Sequence, residues 1–201
     1  IGDWSSDVCS SDLSSLEFYR QGLVRQPVPA NDHIQPFIDA QVPGLWVYYC
    51  CAQSSLVPNR FFAMESARNR IMGVLMYLYG IKGFLHWGYN FYNSKFSLHP
   101  VDPYRVTHAD YAFPSGDPFL VYPGPDGAPL SSVRAEVQDD ALLDLRALQL
   151  LEQLAGRAFV EELIYADAEM RPMTFRDYPR GAGYLLALRE RVAAEIESRL
   201  A

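Results

Sequence analysis

Cysteine is scarce in this chain of 201 residues, which contains three, two of them adjacent at Cys50 and Cys51. Neighbouring side chains on a strand point to opposite faces, so these two thiols are poorly placed to form a disulfide. The cysteines and histidines also lack the CxxC or His/Cys spacing of a metal site, and no metal or cofactor is predicted. We interpret Cys50 and Cys51 as small buried apolar residues. Free thiols are more common in reducing compartments, but the sequence does not decide the compartment.

Positive charge and long apolar runs are also scarce. The chain has 17 Lys and Arg against 24 Asp and Glu, a formal net charge of −7. The basic surface typical of nucleic-acid binding is therefore not expected. The richest apolar stretch, residues 71–81, is interrupted by Gly73 and Gly80 and is shorter than the ~20 residues of a membrane span. The remaining composition, 49% hydrophobic and 20% charged, is typical of a globular protein with neither a nucleic-acid partner nor a membrane span.

The first thirteen residues resemble a translated sequencing-library adapter. The codons of such an adapter translate in order to the run DWSSDVCSSDL at residues 3–13. Segments of this kind are excluded from fold reasoning, which removes Trp4 and Cys9 as functional candidates. The same interpretation predicts that residues 14–201 are a C-terminal fragment of a longer protein, with any signal peptide encoded further upstream.

A strand, a helix and a second strand are predicted between residues 45 and 92. Residues 45–51 (LWVYYCC) are apolar on both faces, as in a parallel strand buried on both sides. The inward side chains are either Trp46, Tyr48 and Cys50 or the alternate set, Leu45, Val47, Tyr49 and Cys51. Residues 61–79 show helical periodicity and end at Gly80, and residues 83–92 (GFLHWGYNFY) resume a β pattern. This order indicates a βαβ unit with parallel strands and a right-handed crossover.

Beyond this unit the sequence predicts a long irregular segment, a short turn region and three helices. Residues 93–117 are rich in Pro, Tyr and His without periodicity, and a segment of this length in a compact domain is usually functional. Residues 119–133 contain an apolar run and a PGPDG turn, after which the chain runs back. Residues 139–155 have an amphipathic pattern with Asp139 as the candidate N-cap, and further helices are predicted at residues 157–166 and 183–200.

Aromatic and amide side chains collect where the two predicted strands end. In parallel α/β folds, working residues lie at the carboxyl ends of strands and in the loops that follow. Trp and Tyr offer flat apolar faces and Asn offers directed hydrogen bonds, a combination suited to a sugar ring with its C–H face and hydroxyl groups. An alternative interpretation is that these aromatics only fill a core. The residues concerned are Tyr48, Tyr49, Gln53, Asn59, Arg60, Trp87, Tyr89, Asn90, Tyr92 and Asn93.

Catalytic candidates are few. Glycosidases use paired carboxylates, or one acid together with a nucleophilic group of the substrate. The adjacent acidic pairs at residues 139–140 and 161–162 are interpreted as helix caps and solvated faces, and His86 as a core histidine. Three aspartates of the irregular segment are unpaired in sequence. The chain contains no Asp-Glu dipeptide and no GxSxG, Walker or GxGxxG motif.

Six features occur in a distinctive order. They are WxYxC at residues 46–50, Arg70, GFLHWGYN at 83–90, GDPFLVYPGPDG at 116–127, SSVRAE at 131–136 and Asp144. This series resembles the C-terminal part of the glycoside hydrolase family 123 catalytic domain, a family that includes β-N-acetylgalactosaminidases. The resemblance covers residues 45–154 and is looser beyond Gly156. It implies an α/β fold in which residues 14–156 are the C-terminal portion of a (β/α)8 TIM barrel, followed by C-terminal helices at residues 157–201.

The resemblance also implies a chemistry. Such enzymes are retaining, and the acetamido oxygen of a β-linked N-acetylhexosamine attacks the anomeric carbon with the help of an adjacent Asp-Glu pair on an earlier strand. No residue of this chain matches that pair, so no catalytic residue is assigned and the fragment alone is expected to be inactive. The alternative is a non-catalytic carbohydrate-binding relative of the same family.

The resemblance assigns binding residues instead. Trp87 would form the floor of the subsite for the cleaved sugar, and Tyr48 would position the acetamido oxygen, which selects the face of Trp46 as the inward one. Asp117 and Arg134 match family positions, where a loop-anchoring ion pair explains them as well as sugar contact does. QDDA at residues 138–141 departs from the Arg-Asp-Gly run of many relatives and leaves the exact sugar open. The predicted residues for binding an N-acetylhexosamine-containing glycan are Trp46, Tyr48, Asn59, Trp87, Tyr89, Asn90 and Asp117.

Overall fold

The computed structural model describes residues 12–201, so most of the segment attributed to an adapter, residues 1–11, lies outside the described residues. The elements in chain order are α1 (Asp12–Arg20), α2 (Gln35–Asp39), β1 (Trp46–Tyr48), α3 (Ala67–Arg70), α4 (Met72–Leu78), β2 (Gly83–Leu85), a 3₁₀ turn (Lys95–Ser97), β3 (Tyr122–Pro123), β4 (Pro129–Leu130), α5 (Val133–Ala155), α6 (Arg157–Tyr165) and α7 (Ala182–Leu200). The fold is therefore a mixed α/β structure with short strands and C-terminal helices.

The predicted parallel strand pair is confirmed. β1 and β2 pair in parallel, with Trp46 opposite Gly83 and Tyr48 opposite Leu85, and the helices α3 and α4 connect them. An isolated parallel bridge between Ala30 and Tyr48 adds a third extended segment on the other side of β1. Within residues 12–201 these strands do not close into a barrel, and the only other sheet is the two-stranded antiparallel β3–β4 pair around the PGPDG turn.

The parallel pair has one face packed on helices and one open face. Leu45, Val47 and Tyr49 lie in the large hydrophobic core together with residues of α4, α5, α6 and α7. The alternate side chains of β1 turn away from these helices, and Trp46 is 38% exposed. Paired residues of neighbouring strands share a face, so the open face consists of Trp46, Tyr48 and Leu85. Gly83 completes it, because a Cβ there would lie 2.3 Å from the Trp46 ring.

The predicted helix at residues 61–79 is wrong over its first six residues. Helical structure begins only at Ala67, and Gly80 ends it with a φ of 63°, as expected for a helix-terminating glycine. The backbone N–H of Phe62 donates instead to the carbonyl of Ser115, at 3.0 Å. Residues 61–66 are thus tied to a distant segment and are irregular, although their apolar spacing resembles that of a helix.

The predicted second strand at residues 83–92 is also shorter than expected, because pairing with β1 ends at Leu85. The chain then turns toward residues 117–121, where Asn90 forms an antiparallel bridge with Phe119. Gly88 permits this approach, since a Cβ there would lie 2.6 Å from the carbonyl oxygen of Pro118. The backbone after β2 is therefore committed to the irregular segment rather than to a longer strand.

The C-terminal helices agree with the sequence except at the start of α5. This helix begins at Val133, and its N-cap is Ser132, whose hydroxyl accepts a hydrogen bond from the backbone N–H of Ala135. Asp139 therefore lies inside the helix, and the prediction that it caps the helix is wrong. The buried stripe of α5 contains Asp144 as well as apolar residues, because Arg70 of α3 donates to its carboxylate at 2.7 Å.

Across residues 12–201, none of the helices has the length and apolarity needed to cross a membrane.

Candidate functional site

Trp87 lies just beyond β2 and is the most prominent aromatic residue of the predicted site. Its side chain is 41% exposed, yet it is held by neighbours on several sides. Phe91 and Phe113 pack against the indole with ring centroids 5.2 Å and 4.9 Å away. The indole Nε1–H donates a hydrogen bond to Oδ2 of Asp117, at 3.0 Å. Trp87 therefore presents a partly open ring whose orientation is set by the protein.

Asp117 supports Trp87 from within the protein. Its side chain is fully buried, and its second carboxylate oxygen, Oδ1, lies 3.3 Å from Nε2 of His86. This second contact is close but not aligned as a hydrogen bond. A carboxylate enclosed in this way has no open side for a substrate. In this structure the carboxylate of Asp117 contacts Trp87, which faces outward, and a contact between Asp117 and a sugar stays a prediction.

His86 is the core histidine expected from the sequence, and its hydrogen bonds define its protonation. Nδ1 accepts from the backbone N–H of Gly88 and from Nη2 of Arg60, both at 2.9 Å. Both partners are obligate donors, so we assign the ring proton to Nε2, on the side of Asp117. Burial lowers the pKa of His86, and the nearby carboxylate of Asp117 opposes this only in part. The imidazole is therefore neutral at pH 7.

Arg60 is the buried cation of this cluster. The side chain is only 2% exposed, and its Nη2 donates to the carbonyl oxygens of Gly88 and Asp117, the latter at 2.9 Å. Burial lowers the pKa of Arg60 to about 10, while the negative charge of Asp117 acts in the opposite direction. Arg60 remains charged at pH 7, and together with Asp117 it ties the loop after β1 to the two segments that carry Trp87 and its partner.

Asn59, predicted to bind substrate, lies behind this cluster. It is fully buried, and its amide Nδ2 donates to the carbonyls of Cys50 and Gln53, at 2.9 and 2.8 Å. Its Oδ1 accepts from the backbone N–H of Arg60 at 2.7 Å. All of its polar capacity is thus used to shape the loop after β1. In this position the amide supports Arg60.

The other predicted residues lie on two surfaces. Tyr89 and Asn90 are exposed beside Trp87, and their backbone is fixed by the hydrogen bond from Leu120 N–H to the Tyr89 carbonyl, at 2.8 Å. Tyr48 and Trp46 lie on the open face, where Tyr48 is 8% exposed and packs beside Ala30 and Cys50. The structure thus separates a surface group after β2 from a pair on β1.

Arg134 occupies a loop-anchoring position, but not through the ion pair considered from the sequence. Its Nη1 donates to the carbonyl oxygens of Gly116 and Phe119, each at 2.5 Å, which flank Asp117 in the chain. Its guanidinium also lies 4.6 Å from the centre of the Phe62 ring. Arg134 therefore fixes the backbone around Asp117, while the carboxylate itself contacts Trp87 and His86.

Sequence reasoning did not identify the way in which Arg60, His86 and Asp117 act together. Arg60 was visible only as a polar residue after a strand, and His86 only as a histidine within one. No local pattern signals that both meet Asp117, which lies 57 positions after Arg60 and 31 after His86. In the part of the chain that the structure describes, no three His, Cys, Asp or Glu side chains are grouped so that they could hold a metal ion.

Trp87 is thus a partly exposed aromatic residue supported by a buried charge cluster, and comparison with known families identifies its context. The family model described as glycoside hydrolase 123, catalytic domain, matches residues 6–151. The match begins within the segment attributed to an adapter and ends inside α5. A comparison with curated proteins gives no match. Because the family model covers well over half of the sequence, the chain belongs to the glycoside hydrolase 123 catalytic domain family.

Proposed function

We propose that the chain is part of a retaining glycoside hydrolase that cleaves a β-linked N-acetylhexosamine, such as N-acetylgalactosamine. Membership of the glycoside hydrolase 123 family supports the reaction class. In this proposal residues 14–156 are the C-terminal portion of a (β/α)8 barrel, and residues 157–201 are helices packed on it. The Asp-Glu pair that the family resemblance implies would come from a preceding segment of the parent protein, since the chain contains no such dipeptide.

The observation that carries the proposal is the state of Trp87. A half-exposed indole is held by Phe91, Phe113 and Asp117, so a ligand does not have to order it on binding. The C–H face of a pyranose would stack on this ring. Tyr89 and Asn90 are exposed next to it and supply hydrogen-bonding groups for ring hydroxyls.

The open face of the strand pair supports the barrel part of the proposal. Trp46 and Leu85 are 38% and 45% exposed on the side of the sheet opposite the helices. Large apolar side chains in the middle of a parallel sheet are normally covered on both faces. In a barrel this side would be the interior, and further strands would cover it. Tyr48, on the same face, would then point into the barrel and donate to the acetamido oxygen of the substrate.

In the proposed reaction the nucleophile is the acetamido group of the substrate itself. The acetamido oxygen forms a bond to the anomeric carbon while the bond from that carbon to the leaving oxygen breaks, and an acid of the preceding segment gives its proton to the leaving oxygen. Water then opens the oxazolinium-like intermediate, and retention results from two displacements. In this scheme Trp87 and Tyr48 hold the ring and the acetamido group in place, which lowers the entropic part of the barrier.

The binding part can be tested with the chain as it is. Titration calorimetry with N-acetylgalactosamine should show binding that Trp87→Ala weakens about tenfold or more, because the stacking surface is lost. Phe18→Ala removes another exposed aromatic, on α1, and is the matched control. Equal affinity of the Trp87→Ala and unsubstituted proteins would contradict the proposed subsite.

The catalytic part requires the parent protein, assayed on aryl N-acetyl-β-hexosaminides. Hydrolysis with retention supports the enzyme. Binding without hydrolysis supports the alternative, a non-catalytic carbohydrate-binding relative.

A further inference from the structure

A polar cavity lies on the surface of the protein beside the buried charge cluster. It has a volume of about 20 Å³, opens to solvent, and lies between the loop after β1 and the first turn of α5. None of its lining residues is Trp87, Tyr89 or Asn90. Its polar lining consists of Asn59, Arg60, Glu65, Ser66, Asn69 and Arg134. The cavity is therefore distinct from the proposed sugar-binding surface. Arg60 lines the cavity and also supports the segments around Trp87.

The two arginines of this cavity have unused hydrogen-bond donors. Arg60 makes its side-chain hydrogen bonds through Nη2, while its Nε and Nη1 are buried and have no partner. Arg134 donates through Nη1 to Gly116 and Phe119, and its Nη2 is buried without a partner. Buried N–H groups in folded proteins are nearly always paired. Unpaired donors on two neighbouring guanidinium groups thus indicate that an acceptor belongs between them.

The charges in the cavity point to an anionic acceptor. Arg60 and Arg134 are both positive, and the charge of Arg134 adds to burial in lowering the pKa of Arg60. Asp117 compensates part of this charge, but its carboxylate oxygens face Trp87 and His86. Glu65 contributes the only carboxylate of the lining, and it stands exposed at the edge. A ligand that enters would pass this carboxylate and meet two cations.

We propose that this cavity binds a small oxyanion, a phosphate, sulfate or carboxylate group, between the guanidinium groups of Arg60 and Arg134. Planar guanidinium groups match the oxygens of such anions with paired, charge-assisted hydrogen bonds. The anion would enter either as a free ion or as an ester on a larger molecule. The proposal does not depend on the sugar-binding function, because the anion would contact neither Trp87 nor its exposed neighbours.

Calorimetric titration of the protein with sodium sulfate and with sodium phosphate, at an ionic strength held constant with chloride, tests the proposal. We expect saturable binding with one site per chain. Glu65→Gln should tighten it about threefold, because a negative charge at the edge of the cavity is removed without a change of shape. Glu197→Gln, an exposed substitution on α7, is the matched control and should leave the affinity unchanged.

Arg134→Lys keeps the positive charge but removes the unpaired Nη2 donor, and it should weaken binding about tenfold. If this variant does not fold, the comparison of Glu65→Gln with Glu197→Gln still decides the question. The absence of saturable binding, or equal affinities of these two glutamine variants, would overturn the proposal. Methyl sulfate, an ester without a sugar ring that could stack on Trp87, distinguishes the sources in a separate titration. Binding tighter than that of inorganic sulfate assigns the site to an ester, and equal binding assigns it to the free ion.

Discussion

The indole N–H of Trp87 is held by the carboxylate of Asp117, which lies thirty residues further along the chain, at 3.0 Å. One partner is 41% exposed and the other is fully buried, so the hydrogen bond connects the surface to the interior. Below it, Arg60 and His86 complete a cluster of one cation, one carboxylate and one neutral imidazole. The orientation of the exposed ring therefore depends on a cluster of buried charges.

Asp117→Ala should destabilise the protein by about 3–5 kcal/mol, because it leaves the buried guanidinium of Arg60 without its countercharge and removes the acceptor of Trp87. The midpoint of urea unfolding measures the effect. Asp39→Ala removes an exposed aspartate whose side chain accepts only from Gln35 and is the control. A double variant, Arg60→Met with Asp117→Ala, should recover part of the loss, since both charges are then absent. Similar losses of stability for Asp117→Ala and Asp39→Ala would refute the prediction that the buried cluster stabilises the protein.

Stability should decrease as the pH falls below about 6.5, the ordinary pKa of histidine, because burial holds the pKa of His86 lower in the folded state. The unfolded chain binds a proton at this residue at a higher pH than the folded chain does. The stabilisation is therefore complete above the unfolded pKa and is lost as the pH falls through the folded one. A proton on Nδ1 would also face the donors of Gly88 and Arg60.

Urea unfolding between pH 5 and pH 8 measures this dependence. His86→Asn, whose amide can accept from Arg60 and donate toward Asp117, should show a weaker loss in acid than the unsubstituted protein. His99→Gln, at an exposed histidine, serves as the control. An unchanged acid slope in His86→Asn would assign the dependence to other groups.

Gly73→Ala should destabilise the protein by about 3 kcal/mol, because α4 crosses α5 at this residue. A Cβ at Gly73 would lie 2.0 Å from the carbonyl oxygen of Ala141, and backbone cannot give way as a flexible side chain can. Gly183→Ala is the matched control on α7, where a Cβ would meet nothing within 4 Å, and it should stabilise the helix by roughly 0.5 kcal/mol. Thermal melting of both variants compares them. Equal melting temperatures would mean that the helices do not cross this closely.

Asp144→Ala should cost about 2–4 kcal/mol, since Arg70 donates to this carboxylate at 2.7 Å and Arg189 lies 3.3 Å from it. The side chains of Arg70 and Asp144 are only 12% and 9% exposed, so water cannot replace the lost partner. Glu162→Ala breaks the exposed pair with Arg171 and should leave the urea midpoint unchanged. If the two substitutions had equal effects, the buried pair would contribute no more than a surface one.

Apolar periodicity predicts the long elements of this chain but not the irregular segments between them. The C-terminal helices and the parallel strand pair follow from apolar spacing, because a long amphipathic segment has few other ways to bury its apolar side. Residues 61–66 and 86–92 carry the same kind of pattern and are irregular. Their backbones are held by Ser115 and by Phe119, from a segment whose position no local pattern reveals.

By itself the sequence determined the family, the parallel strands, the helical C-terminal half and the prominence of Trp87, because these depend on residue types and spacings within short stretches. Only the tertiary structure decided that Asn59 is a buried loop support, that Asp117 faces Trp87 and His86 and that Arg60 and Arg134 share a cavity. The physical reason is that a buried polar side chain takes the partner that the folded chain brings within about 3 Å, and that partner lies far away in sequence.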